Sequence, residues 1–241
     1  MSRLLVLRPQ PGADATAARI RAMGLMPVVA PIMTAAPLSW QPPAPDAFDG
    51  LMLTSAQAVR LGGDAVSHYR NLPVYAVGSA TAAAARAAGF GTIIEGETDG
   101  VALLLLAERD GRRSLLHLAG EDHMGLSHPA ISIERRFVYR VDVADSIPAA
   151  GVAALLDGAI ALLHSPRAAR IFAALLGGSG VPREAVRLAC LSAAVAAAAG
   201  PGWGAVARAP LPNDTALLAV AARLCNQGPT PPADASDEEP A

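Results

Sequence analysis

The chain has 241 residues, 52% apolar and 17% charged, with a formal net charge of −2. That length suits one large or two small domains, and the composition excludes a disordered chain. The near-balanced charge disfavours a nucleic-acid binder, which needs a basic stripe.

All 19 basic residues are arginine. The absence of lysine excludes Schiff-base chemistry, lysine-anchored pyridoxal phosphate and a P-loop. No apolar run approaches the ~20 residues that cross a bilayer, so no membrane span is expected. The start, MSRLLVLRPQPG, carries too short an apolar run for a signal peptide. Two cysteines, Cys190 and Cys225, make no disulfide framework and point to a reducing, cytoplasmic setting.

In chain order, RLLVLR at 3–8 predicts a first strand and 9–12 the turn after it. Asp14 is expected to cap the helix carrying Ala17 to Met23, and Gly24 to end it. MPVVAPIM at 26–33 reads as an edge strand or connector because of its prolines. FDGLMLTSAQAVRLG at 48–62 and DGAIALLHSPRAARIFAALLGG at 157–178 each repeat a strand, small-polar turn, helix sequence. So do YAVGSATAAAARAAGFG at 75–91 and LACLSAAVAAAAGPGWG at 188–204. Alternating strands and helices predict parallel α/β sheets flanked by helices. The Pro-rich, acidic stretch 226–241 is expected to be a disordered tail.

Leu4 and Leu115 stand 111 residues apart, Ser55 and Ser165 stand 110, and Ser79 and Ser192 stand 113. GVALL at Gly100 pairs with DTALL at Asp214 in the same order. A nearly constant offset over ordered units points to a duplicated α/β half.

Ligands of open parallel sheets sit beyond the carboxyl ends of the strands, where helix N-termini offer unpaired amides to anions. Thr54-Ser55, Gly78-Ser79 with Thr81, His164-Ser165 and Ser192 fall at such turns. One such serine alone is ordinarily a helix cap. Several on two similar halves suggest rims of anion-accepting amides suited to a polycarboxylate or phosphate. His117, Glu121, Asp122, His123 and His128 cluster in HLAGEDHMGLSH, but their spacing matches no zinc signature, and no metal is expected. Gly89-Phe90-Gly91 has Ile94 where a dinucleotide fingerprint needs glycine. Tyr139, on the alternating segment RRFVYRVDV, would from position alone be packing.

The order of these segments, from about Arg3 to Leu224, resembles the uroporphyrinogen-III synthase family. LVLRPQPGADATAARIRAMGLMPVVAPIM, FDGLMLTSAQAVR, VYAVGSATAAAARAAGF, FVYRVD and GAIALLHSPRAARIF carry the likeness. LACLSAAVAAAAGPGWGAVARAPLPNDTALL extends it into the second half. The resemblance implies two α/β domains joined by two extended linkers: residues 1–36 with 146–225, and residues 40–140, with the active site in the cleft between them. It implies conversion of hydroxymethylbilane, a linear tetrapyrrole with eight carboxylates, to uroporphyrinogen III with ring D inverted and water lost. No cofactor is implied. The chain is expected to act as a cytoplasmic monomer, with at most transient contact with the preceding pathway enzyme.

By the same resemblance Tyr139 is the hydrogen-bond donor to the leaving hydroxyl. Thr54, Ser55, Gly78, Ser79, Thr81, Ser165 and Ser192 are binding positions, and Arg8 is placed near a propionate. Arg60 and Arg167 are expected to be solvated or salt-bridged. Two departures from the pattern stand out. The 120–132 region is compressed and poorly helical where the family carries a helix. ACLSAAVA lacks the glycine and threonine that Gly78 and Thr81 supply in the first half. The rival readings are a catalytically inactive anion-binding or sensor protein of the same fold, and an enzyme acting on a phosphorylated small molecule.

Overall fold

A computed structural model of the chain describes residues 2–96, 99–122 and 125–226. His123 and the expected tail beyond Asn226 lie outside the described residues. Two compact units form, one from the segments up to Thr34 and from Val143 onward, the other from Ala35–Asp142.

The first unit holds a five-stranded sheet, built from β1 (Arg3–Val6), β2 (Met26–Val29), β9 (Ile160–Leu163), β10 (Arg187–Cys190) and β11 (Ala205–Arg208). Their order is β11-β10-β9-β1-β2, and the neighbours run parallel. The strands are short apolar runs because both faces are covered, as parallel sheets require. Alternate residues Leu4, Val6, Ile160, Leu162 and Ala189 pack on α1 (Gly12–Ala22) and α8 (Asp214–Asn226). Three further helices, α5 (Ala149–Leu156), α6 (Pro166–Leu176) and α7 (Ala193–Ala199), pack along β1, β9 and β10. Alanine fills much of the buried helix surface, as Ala168 and Ala169 do beside Phe172 in α6.

The second unit holds six strands: β3 (Met33–Pro37), β4 (Gly50–Leu53), β5 (Val74–Val77), β6 (Ile93–Gly96), β7 (Ser114–Gly120) and β8 (Ser132–Val143). Their order is β3-β8-β7-β4-β5-β6. One core joins Leu51, Leu53, Ala76, Leu116 and Leu118 to α2 (Ala56–Leu61) and α3 (Gly78–Ala87). The intervening residues Met52, Tyr75 and Leu115 face α4 (Gly100–Arg109). The period-2 alternation of strand side chains thus divides the apolar runs between two cores.

Without β3, the order β8-β7-β4-β5-β6 matches β2-β1-β9-β10-β11 strand for strand. The duplication inferred from sequence offsets is therefore also a duplication of topology: the first unit has the doubly wound 2-1-3-4-5 order, and the second has the same arrangement circularly permuted, with its last two strands, β7 and β8, in the places of β1 and β2. MPVVAPIM supplies the edge strand β2 and then enters β3. One difference separates the halves. A helix, α1, joins β1 to β2, whereas the described residues between β7 and β8 contain none.

The expected cap of α1 needs correction. The helix begins at Gly12 with Pro11 before it, so Asp14 lies inside the first turn and accepts from Gln10 Nε2 at 2.8 Å. Proline starts the helix because its fixed φ suits a first turn that needs no donor there. Gly24 does follow the helix end, at φ +74°, the left-handed conformation glycine adopts without strain.

Above β1 and β9 an ion-pair network ties α1, α8 and the end of β9 together. Asp214 accepts from Arg19 Nη1 at 2.7 Å and from the fully buried Thr16 hydroxyl at 2.9 Å. His164 Nε2 lies 2.9 Å from its other oxygen, and Arg8 Nη1 is 3.7 Å away. Burial alone would raise the Asp214 carboxyl, but hydrogen bonds from His164 and Thr16, the charge of His164 and the bond from Arg19 hold it well below the ordinary range. A depressed carboxylate stabilises the fold above its unfolded value, about 3.9, and the contribution fades as pH falls through the folded value. Asp214→Ala is expected to cost about 3 kcal/mol at pH 7, as for other broken buried pairs. In urea denaturation the gap between wild type and variant should narrow below about pH 4.

Candidate functional site

In each half the chain leaves two neighbouring strands toward opposite faces, which opens a crevice above their carboxyl ends. In the first unit, Arg8, Thr16, His164 and Asp214 fill it. In the second unit the corresponding space, above β4 and β7, is a cavity of about 350 Å³. Its walls are Thr54, Ser55, Val77, Asp99, Gly100, Val101, His117, Gly120, Asp122, Leu126 and Tyr139.

Each wall follows from local sequence. Thr54 follows β4, and its Oγ1 lies 3.2 Å from Nε2 of His117, a β7 residue only 1% exposed. Ser55 then caps α2, accepting from the Gln57 amide at 3.2 Å. Asp99 caps α4 by accepting from the Val101 and Ala102 amides, both at 3.0 Å. The next residue, Gly100, lets Leu126 pack against the helix start, since a Cβ there would come within 2.4 Å of Leu126 Cδ1 and push that side chain aside.

Where β7 pairs with β8 the register shifts between Ala119 and Gly120, so that Ala119 faces Phe137 and Gly120 faces Tyr139. The Glu121 amide closes the irregularity by donating to the Tyr139 carbonyl at 3.1 Å. The lining therefore combines hydroxyls (Thr54, Ser55, Tyr139), an imidazole and two carboxylates, with no arginine. Such a set can donate and accept hydrogen bonds and move protons, with apolar surface from Val77, Val101 and Leu126 for a ring.

Of the expected catalytic and binding positions the cavity brings together Thr54, Ser55 and Tyr139, and it adds His117 and Asp122 from the HLAGEDHMGLSH cluster. Gly78, Ser79 and Thr81 lie next to it, where β5 enters α3, with only Val77 of that turn in the lining. Thr81 is 5% exposed, on the buried face of α3. The expectation that Ser79 opens a helix as Ser192 does is corrected. Gly78 turns at φ +71° and starts α3 itself, so Ser79 sits inside the first turn and Val77 takes the cap position. Ser192 caps α7, accepting from the Val195 amide at 3.3 Å, and Ser165 caps α6, accepting from the Ala168 amide at 3.1 Å.

Arg8 and both of these serines belong to the first unit, at the carboxyl edge of its own sheet. Arg8 folds over the start of α1, where a Cβ at Gly12 would lie 2.6 Å from its Nε. Among the described residues no group of three His, Cys, Asp or Glu is placed to hold a metal ion. His128 turns away to Glu108, at 3.6 Å. Burial pushes the Cys190 thiol up to about 11, which removes it as a nucleophile at neutral pH.

Asp99, His117 and Gly120 escaped the sequence reading as members of one site. An aspartate directly before GVALL is a helix-cap signal, which could have placed Asp99. In sequence, His117 reads as a strand residue and a member of the His/Asp/Glu cluster, with nothing to tie it to Thr54. Nothing in sequence marks Gly120, since its role depends on a strand paired across an irregular register.

A profile of the family described as uroporphyrinogen-III synthase HemD matches residues 14–219. No curated protein sequence matches. The fold is similar to a crystal structure of uroporphyrinogen-III synthetase from Helicobacter pylori 26695, with TM-score 0.62 and 16% identity over 93% of this chain and 100% of that one. A mutant uroporphyrinogen III synthase from the extremely thermophilic bacterium Thermus thermophilus aligns with TM-score 0.49 and 17% identity, over 94% of this chain and 100% of that one. The profile covers most of the sequence, and the chain belongs to the uroporphyrinogen-III synthase family.

Proposed function

We propose that the chain cyclises hydroxymethylbilane to uroporphyrinogen III, as a lyase that expels water and inverts ring D. The observation that carries this reading is Tyr139, which lines a cavity at the switch point of the second unit together with Thr54 and Ser55. The cavity is small for four linked rings with eight carboxylates. It receives the reacting end of the bilane, while the carboxylate side chains stay outside. Gly78, Ser79, Thr81, Ser165, Ser192 and Arg8 are binding positions for those side chains. Ser165 stands at the start of α6, an eleven-residue helix whose first amides suit an anion.

In the proposed step the terminal carbon–oxygen bond breaks, and the hydroxyl departs as water. Tyr139 donates its O–H to the departing oxygen, which is general-acid assistance. The pyrrole nitrogen electrons supply the push, giving an azafulvene that the substituted carbon of ring D attacks. The resulting spiro intermediate breaks the bond from that carbon to the methylene bridging ring C, the methylene rebonds to the free α-carbon of ring D so that the ring is inverted, and that carbon loses its proton back to the Tyr139 phenolate. Asp99 and Asp122 offer acceptors to pyrrole N–H groups. Holding the two chain ends in the geometry for inversion is a positioning effect, which needs no cofactor. The protein acts as a monomer in the cytoplasm, meeting the enzyme that supplies the bilane only transiently.

With hydroxymethylbilane generated in a coupled assay, substoichiometric protein should give the type III isomer, separated chromatographically from the spontaneous type I product. Type I alone from folded protein would sink the enzyme reading and favour a binding or sensor role. Tyr139→Phe should lower kcat roughly tenfold, the worth of one hydrogen bond of about 1.4 kcal/mol, with the folded structure retained. Removing the hydroxyl of Thr54 or Ser55 should cost less.

A further inference from the structure

Tyr139 has to aim its hydroxyl into the cavity, yet among the described residues that hydroxyl makes no hydrogen bond that would fix it. What constrains the ring is Gly120. A Cβ built on Gly120 would lie 2.7 Å from Tyr139 Cζ, 2.8 Å from Cε2 and 3.0 Å from the hydroxyl oxygen. The phenol therefore rests on bare backbone. The shifted register between β7 and β8 brings the two residues opposite one another, and the bond from the Glu121 amide to the Tyr139 carbonyl holds that pairing.

We infer that Gly120 is a positioning residue of this enzyme, the platform that sets where the Tyr139 hydroxyl points. The inference rests on the proposed role of Tyr139. Its backbone conformation does not call for glycine, because Gly120 is not among the residues with positive φ. The requirement is for space alone, and the atoms in that space belong to the far end of one side chain. Any side chain at position 120 pushes the phenol off its seat, and a ring can swing aside with little loss of packing. Misplacing a catalytic group by about an ångström can cost as much as a hundredfold in rate. The fold should therefore tolerate the substitution while the chemistry does not.

The test is Gly120→Ala measured beside Tyr139→Phe, Tyr139→Ala and the two double variants, in the coupled isomer assay and in thermal unfolding. Gly120→Ala should lose roughly tenfold in kcat, as Tyr139→Phe does, with KM and the melting temperature close to wild type. In either Tyr139 background the added methyl should cost nothing further, because no aimed hydroxyl remains to be displaced. A kcat equal to wild type in Gly120→Ala, or full additivity with Tyr139→Phe, would overturn the inference. A melting temperature that falls with kcat and is not restored in Tyr139→Ala would also overturn it, since the glycine would then serve the fold. If wild-type protein makes no type III isomer, the failure belongs to the proposed function.

Discussion

Two chains leaving adjacent parallel strands toward opposite faces cannot both cover the strand ends, and the uncovered space is the constraint on which this protein's organisation depends. Backbone amides, helix starts and the last side chains of both strands converge there. Such a space must either be filled by the protein or be available to a ligand, because the buried polar groups around it need partners. The fold makes this space twice, once in each unit. The same strand order thus poses one physical problem to two different sequences.

The two answers differ residue by residue. Thr54 and His164 occupy equivalent places after β4 and β9. Gly100 and Asp214 begin the equivalent helices α4 and α8. In the first unit the larger residues win. Asp214 reaches His164, Arg19 and Thr16, and α1 supplies both Thr16 and Arg19. In the second unit no helix stands in the place of α1 among the described residues, and glycine replaces the carboxylate. His117 satisfies Thr54, Leu126 packs over Gly100, and the rest stays open. One crevice of the duplicated pair is thus occupied by an ion-pair network, and the other keeps a cavity.

The sequence revealed the elements whose information is local. Apolar runs ending at Thr54, Val77 and Leu163 gave strands, and Ser55, Ser165 and Ser192 gave helix starts, because a cap is written within four residues. The near-constant offset revealed the duplication. Failures came where backbone conformation or pairing decided the outcome. Pro11 overruled Asp14 at α1, and the turn at Gly78 displaced Ser79 from the cap, although the residue types fitted the expected pattern. His117 could be read as strand but not as the partner of Thr54, since 63 residues separate them. Gly120 was invisible for the same reason, being defined by a register that no short stretch encodes.

Helix starts also explain how a site for a polycarboxylate can carry aspartates. A serine cap satisfies one amide and leaves the helix end partly positive, whereas an aspartate cap satisfies amides and neutralises that end. Asp99 takes two amides of α4, and Asp214, at the first turn of α8, sets its charge against the equivalent helix end. Both helices therefore begin with an anion already in place, and neither suits a substrate carboxylate. Of the long helices, α6 keeps a serine cap and its partial charge. The cavity lining, with Asp99 and Asp122 and no arginine, disfavours carboxylates and offers acceptors to N–H donors. A lysine in that lining would reverse this preference, because its charge attracts carboxylates.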